Sequence, residues 1–137
     1  NIGSIMRTCA LFDCAGIIVG KDNSPELTSS LYKSASGAAE IVNYIRVTNI
    51  RRAMSFLKKN KYWIYGFDSS KINNSKLNFS QKSVLVFGSE GKGIRELVKK
   101  ECDEIIQINM KNNLKFEIDS LNVSNATSIA LYHFYSN

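Results

Sequence analysis

Chemistry in this chain is most plausible at three stretches of unusual residue type and spacing. The apolar run Val84-Leu85-Val86-Phe87 leads into Gly88-Ser89-Glu90-Gly91-Lys92-Gly93. Its glycines let main-chain amides approach a ligand closely and adopt positive φ. The spacing matches neither a Walker A loop nor a dinucleotide-binding turn. Glu90 repels phosphate, so it suits an acceptor for a hydroxyl or amino group, or a partner for a cation. A strained structural turn is the plainer reading. Ser120-Leu121-Asn122-Val123-Ser124 opens the last helix. Ser and Asn are ordinary caps there, and they are equally a polar cluster facing a ligand. Arg7, on an otherwise apolar helix, either snorkels to solvent or pairs with a carboxylate, or it grips a phosphate bidentately. His133 has no serine or aspartate arrangement around it and reads as structural or exposed. No nucleophile–base–orienter triad is present.

The elements that must position these residues alternate in type. The spacing predicts a helix over residues 3–14, with Ile5, Met6, Cys9, Ala10 and Phe12 on its apolar side. A short buried strand, Ile17-Ile18-Val19, follows. Asp22-Asn23-Ser24-Pro25 reads as the start of a helix reaching Ser36, with Pro where its missing N–H costs nothing. Residues 44–47 form a strand, and Thr48 can cap a helix with Ile50, Ala53, Met54 and Leu57 on one face. Residues 62–67 form an aromatic-rich strand, residues 68–82 a polar loop and residues 84–87 another strand. A helix with Ile94, Leu97 and Val98 in phase comes next, then a strand over 104–108. The final helix places Val123, Ala126, Thr127, Ala130, Leu131 and Phe134 together. Continuously apolar strands alternating with helices imply an α/β fold, a mostly parallel sheet covered on both faces. Ligands on such sheets sit at the carboxyl ends of strands, here after Phe87 and Ile108.

At 137 residues the chain fits one domain with a core of its own. Its three cysteines, Cys9, Cys14 and Cys102, are odd in number and form no CxxC pair. They suit small core residues in a reducing compartment, and no metal site is indicated. No apolar run approaches the roughly 18 residues a membrane helix needs, and no signal pattern opens the chain. The expected setting is soluble and cytoplasmic. A net charge of +6 favours polyanionic partners. Arg46, Arg51, Arg52, Lys58, Lys59 and Lys61 concentrate part of it, either as a solvated helix face or as a surface for RNA.

Taken together, the motifs resemble those of the SpoU (TrmH-like) RNA 2′-O-methyltransferases of the SPOUT superfamily. Asn1-Ile2-Gly3-Ser4-Ile5-Met6-Arg7 is similar to the first family motif. Ser34-Ala35-Ser36-Gly37-Ala38-Ala39-Glu40 resembles the segment between motifs, residues 86–94 the second motif and residues 108–129 the third. The segment from Gly37 through Asn49 resembles most closely the bacterial 23S rRNA guanosine 2′-O-methyltransferases, with tRNA-modifying relatives as the competitor. Two departures stand out: Asn109 replaces the usual Pro, and residues 111–119 form a longer, glycine-free loop.

The resemblance implies an α/β knot, with the C-terminal segment threaded into a deep trefoil, and a homodimer. It implies S-adenosylmethionine (SAM) held by Phe87, Gly88, Ser89, Gly91, Ile108, Met110 and Leu121, without a metal. It also implies a catalytic set of Arg7, Glu90, Ser120 and Asn122, supported by Asn1, for attack of a ribose 2′-oxygen on the methyl group. Residues 1–137 would form a single catalytic domain that lacks the family's preceding strand and any N-terminal RNA-binding domain. Two other functions compete: an RNA-binding protein that keeps the SPOUT fold without the chemistry, and a nucleotide-binding α/β protein. The missing Walker and dinucleotide spacings disfavour the latter.

Overall fold

The computed structural model describes residues 1–24, 26–68, 82–89, 92–108 and 121–136. Strand β1 (Gly16–Gly20) pairs in parallel with β2 (Asn43–Val47), Ile18 opposite Ile45. Strand β3 (Trp63–Phe67) lies between β4 (Ser83–Phe87) and β5 (Glu104–Ile106), parallel to both. This central position explains the unbroken run Ile64, Tyr65, Gly66 and Phe67, all buried: a strand with neighbours on both edges and cover on both faces has no solvated side to alternate toward. The expected α/β class with parallel strands therefore holds, although the described strands form two sheets rather than one.

The helices are α1 (Ile2–Leu11), α2 (Ser29–Ala35), α3 (Ile50–Lys59), α4 (Glu96–Glu101) and α5 (Val123–Ser136). Met6 of α1 packs with Ala35 and Ala38, while Cys9 joins Val42 and Leu131. Tyr65, Phe67, Ile106 and Ala130 form the core beside β3. Leu85 packs against both of the latter clusters, so β4 and α5 tie the two sheets to one interior. Among the described residues, Met6, Ile64 and Val42 are the largest fully buried side chains, each stabilising the fold by about 1.5–3 kcal/mol through removal from water.

Four boundaries differ from the sequence expectation. Helix α1 stops at Leu11 because Asp13 turns left-handed, at φ 56°, and the Cys14 N–H bonds the Cys9 carbonyl at 2.9 Å. The helix expected to start over residues 22–25 begins later, and Pro25 itself lies outside the described residues. Residues Lys21–Asn23 make a 3-10 turn, and α2 begins at Ser29, where Thr28 Oγ1 accepts from the Leu31 N–H. The Arg46 guanidinium donates to the carbonyls of Lys21 (2.9 Å) and Ser24 (3.4 Å); the Ser24 carbonyl is one that a continuing helix would have used. Asn49 rather than Thr48 caps α3, its Oδ1 accepting from the Arg52 N–H at 3.1 Å. Strand β5 ends at Ile106, two residues short of Ile108.

Candidate active site

The first and last signature stretches meet where α1 and α5 begin. Asn1 holds the N-cap position of α1, yet its side chain makes no cap bond to that helix. Its Oδ1 instead accepts from Asn122 Nδ2 at 3.2 Å. Asn122 works in two directions, because its Oδ1 also accepts from the Ser124 N–H at 2.9 Å. The cap and the polar cluster are thus the same residue. Below this bridge a line of hydroxyls continues between the helices. Ser124 Oγ donates to Ser4 Oγ at 2.8 Å, and the Thr8 and Ser128 hydroxyls lie 3.3 Å apart. Ser4, Thr8 and Ser128 were not singled out from the sequence. Their signal was available: a hydroxyl pair four residues apart in α1 and a matching pair in α5, one per helical turn.

A second group gathers at the carboxyl ends of the three-stranded sheet. Phe87, closing β4, stacks on Phe67, closing β3, with centroids 5.1 Å apart and planes 13° from parallel. Ile108, just past β5, packs on the same cluster of Tyr65, Phe67, Ile106 and Ala130. The glycine turn after β4 closes on itself through the Gly93 N–H and the Ser89 carbonyl at 3.0 Å. A side chain on Gly88 would run into the main chain of Gly93 and Ile94.

Asp68, the first residue beyond β3, anchors this turn. Its Oδ2 accepts from the Ile94 N–H at 3.3 Å and faces Lys99 Nζ at 3.3 Å, with only 7% of the carboxylate side chain exposed. A nearly dry ion pair that also satisfies a backbone donor holds geometry more firmly than a surface pair. Neither Asp68 nor Lys99 was anticipated, since nothing in their local sequence distinguishes them from loop and helix-surface charges.

Of the expected site residues, the structure joins Asn1 to Asn122, with half-buried Leu121 adjacent. It gathers Phe87, Gly88, Ser89 and Ile108 around the strand ends. Helix α5 connects the groups, since it starts at the asparagine bridge and seats Ala130 in the Phe87 cluster. Arg7 is exposed on α1, and among the described residues its guanidinium has no hydrogen-bond or ion-pair partner. Glu90, Gly91, Met110 and Ser120 lie outside the described residues. His133 is exposed, edge-on to Tyr132 at 6.2 Å.

The basic cluster divides. Arg46 is committed to the loop after β1 and to Glu26, at 3.4 Å. Arg51 pairs with Glu101 at 3.5 Å and Lys58 with Asp103 at 3.9 Å. Arg52, Lys59 and Lys61 are exposed. Among the described residues, no group of three or more His, Cys, Asp or Glu is placed to hold a metal ion.

The family model described as SpoU rRNA Methylase family matches residues 1–132, a span that includes both asparagines and the glycine turn. The chain belongs to the SpoU rRNA methylase family. It is 38% identical over 135 residues to the 23S rRNA (guanosine-2′-O-)-methyltransferase RlmB of Escherichia coli (strain K12), covering 96% of this chain and 53% of that protein. It is 35% identical over 136 residues to a TrmH family protein, YacO, of Bacillus subtilis (strain 168), covering 98% of this chain and again 53% of the relative. The chain thus spans about half the length of these relatives. Among solved structures, the SpoU methyltransferase AviRb of Streptomyces viridochromogenes, in complex with the cofactor AdoMet, superposes with a TM-score of 0.85 at 23% identity. That likeness covers 98% of this chain and 52% of AviRb, and it establishes the shared fold. The asparagine bridge joins residues 121 apart in this chain, both within the span that the SpoU family model matches.

Proposed function

We propose that this chain is the catalytic domain of a SAM-dependent RNA methyltransferase that modifies a ribose 2′-hydroxyl. A guanosine of 23S rRNA is the preferred target, on the likeness to RlmB, with tRNA as the competing substrate. The observation that carries the reading is the bond from Asn122 to Asn1, which brings the first and third signature segments to one place. The strand ends suit the cofactor: stacked Phe87, apolar Ile108 and Leu121, and a tight glycine turn closed by the Ser89–Gly93 bond. Gly88, Ser89, Gly91, Ile108, Met110 and Leu121 would hold it, in a pocket shaped by a C-terminal trefoil knot. When bound, SAM supplies a methyl group already activated by its sulfonium.

The chain's own residues must then align a hydroxyl and manage one proton. Arg7 offers a planar fork of donors and no acceptor, so its role is to clamp an RNA phosphate and stabilise the developing alkoxide. Ser120 and Asn122 position the ribose hydroxyl, with Asn122 held in place by Asn1. Glu90 orients Asn1 or Arg7.

Titration of the protein with S-adenosylhomocysteine tests the site directly. One equivalent per subunit is expected, with binding weakened roughly tenfold by Asn122→Ala, because losing its bonds to Asn1 and the Ser124 N–H loosens the adjacent Leu121 of the cofactor set. A folded protein that binds no S-adenosylhomocysteine would remove the enzymatic reading and leave RNA binding without methyl transfer.

A homodimer belongs to the same proposal, acting in the cytoplasm; among the described residues, no helix is long and apolar enough to cross a membrane. Leu11 of α1 is 82% exposed, and Tyr132 and Tyr135 of α5 are 62% and 67% exposed. Phe12 meets Tyr135 edge-on at 5.7 Å, so these side chains belong to neighbouring parts of one surface. Apolar groups left in water on adjacent helices are what a twofold interface would cover. Sedimentation should find a dimer, dissociated by a Leu11→Glu/Tyr135→Glu double substitution; an active wild-type monomer would refute the assembly.

A further inference from the structure

Helix α1 ends in a turn with an uncommon pair of side chains. Asp13 adopts a left-handed φ of 56°, its N–H reaches the Ala10 carbonyl at 3.4 Å, and the Cys14 N–H reaches the Cys9 carbonyl at 2.9 Å. These are the two bonds of a Schellman motif, in which the residues joined by the bond that spans more of the chain, Cys14 to Cys9, bring their side chains into apolar contact. Here both of those residues are cysteines. Cys9 is buried and Cys14 half-buried, both are free thiols, and Cys14 packs on the cluster containing Cys9. The main-chain bond keeps their backbones within roughly the 4.4–6.8 Å Cα separation over which disulfides form.

We propose that Cys9 and Cys14 are an oxidisable dithiol, which a small-molecule disulfide such as oxidised glutathione closes into an intramolecular disulfide. Cys14 is the nucleophile because it is the more exposed of the two. The Cys9 S–H, donating to the Cys14 sulfur, holds Cys14 below the ordinary thiol range and itself above it. The Cys14 thiolate attacks one sulfur of the small disulfide and expels a thiolate, forming a mixed disulfide. Cys9 then attacks the Cys14 sulfur and expels the second thiolate, which takes the Cys9 proton. Two protein thiols are oxidised, and one small disulfide is reduced to two thiols. Cys102 has no such neighbour: burial pushes its thiol up to about 11, which leaves it a poor nucleophile. The crosslink would fasten the last turn of the helix that carries Arg7 to the start of β1.

The test is peptide mapping of the native protein after treatment with oxidised glutathione, acid quenching, denaturation and alkylation. Trypsin cuts after Arg7 and Lys21, so both cysteines fall in the peptide of residues 8–21. That peptide is expected unalkylated and two hydrogens lighter than its dithiol form, while Cys102 is alkylated. Cys14→Ser should abolish oxidation of Cys9, and Cys9→Ser should leave Cys14 as a persistent mixed disulfide with glutathione. Should Cys9→Ser fail to fold, the wild-type peptide and Cys14→Ser still decide. A wild-type peptide alkylated at both cysteines would overturn the proposal and leave the pair as the apolar contact of a helix end. So would a mixed disulfide at Cys14 that Cys9 never displaces.

Discussion

Arg7→Ala should lower methyl transfer by about 10²–10³-fold while leaving S-adenosylhomocysteine affinity unchanged. That is the range for losing one group aimed at charge that develops in the transition state. The inner face of α1 is formed by Gly3, Met6 and Cys9, which are buried against α2 and the interior. Arg7 lies off that face and exposed, three residues beyond Ser4 of the hydroxyl seam. Removing its side chain therefore takes nothing from the core, so a loss of turnover cannot be a loss of folding. Its planar donor fork can serve a phosphate or an alkoxide. Arg7→Lys separates charge from shape. The lysine should keep most of the RNA affinity and still lose turnover, because an ammonium lacks the planar fork that fixes two oxygens at once. Undiminished turnover in Arg7→Ala, with cofactor binding intact, would remove Arg7 from the mechanism.

The parts of the fold that could be read from residue order are those governed by local burial. Ile64 to Phe67 read as a strand because β3 is covered on both faces. What escaped were contacts made from far along the chain. The helix expected to start over residues 22–25 begins only at Ser29, and Arg46, more than twenty residues later, takes the Ser24 carbonyl that an earlier start would have used. On α5 the inner face contains Ser124 and Thr127 as well as Ala130 and Leu131. Those hydroxyls tolerate burial because Ser124 bonds Ser4 and Thr127 bonds the Val123 carbonyl. The candidate site shows the same division. Asn122 is readable as a cap from its own neighbourhood, but its second bond, to Asn1, has no trace in the surrounding sequence. The second motif was readable as glycines after a strand. The carboxylate that steadies it, Asp68, comes from a different strand end and pairs with Lys99.

Gly88→Ala should be the most disruptive single-methyl change at the site, and the reason is crowding rather than backbone conformation. The nearest atoms to an added Cβ are the Gly93 carbonyl group and the Ile94 nitrogen, all main chain and unable to swing aside as a side-chain tip would. Relieving the overlap means opening the Ser89–Gly93 bridge and pulling the Ile94 N–H from Asp68, which leaves a mostly buried carboxylate with a donor lost. A cost above about 4 kcal/mol follows, in the range reserved for a few named kinds of damage. In a domain of this size that is a fall of at least about 10 °C in Tm. Gly93 is a separate case. Its φ of 69° is left-handed and an added Cβ would meet Asp68 Oδ2 at 3.2 Å, so Gly93→Asn should be milder, since Asn tolerates that conformation. Thermal melts with and without S-adenosylhomocysteine distinguish the two effects. Gly88→Ala should lose both stability and the ligand-induced rise in Tm, whereas Gly93→Asn should keep part of each. If Gly88→Ala melts like the wild type, the tight turn after β4 is not the conformation the protein adopts, and the cofactor site built on it would have to be abandoned.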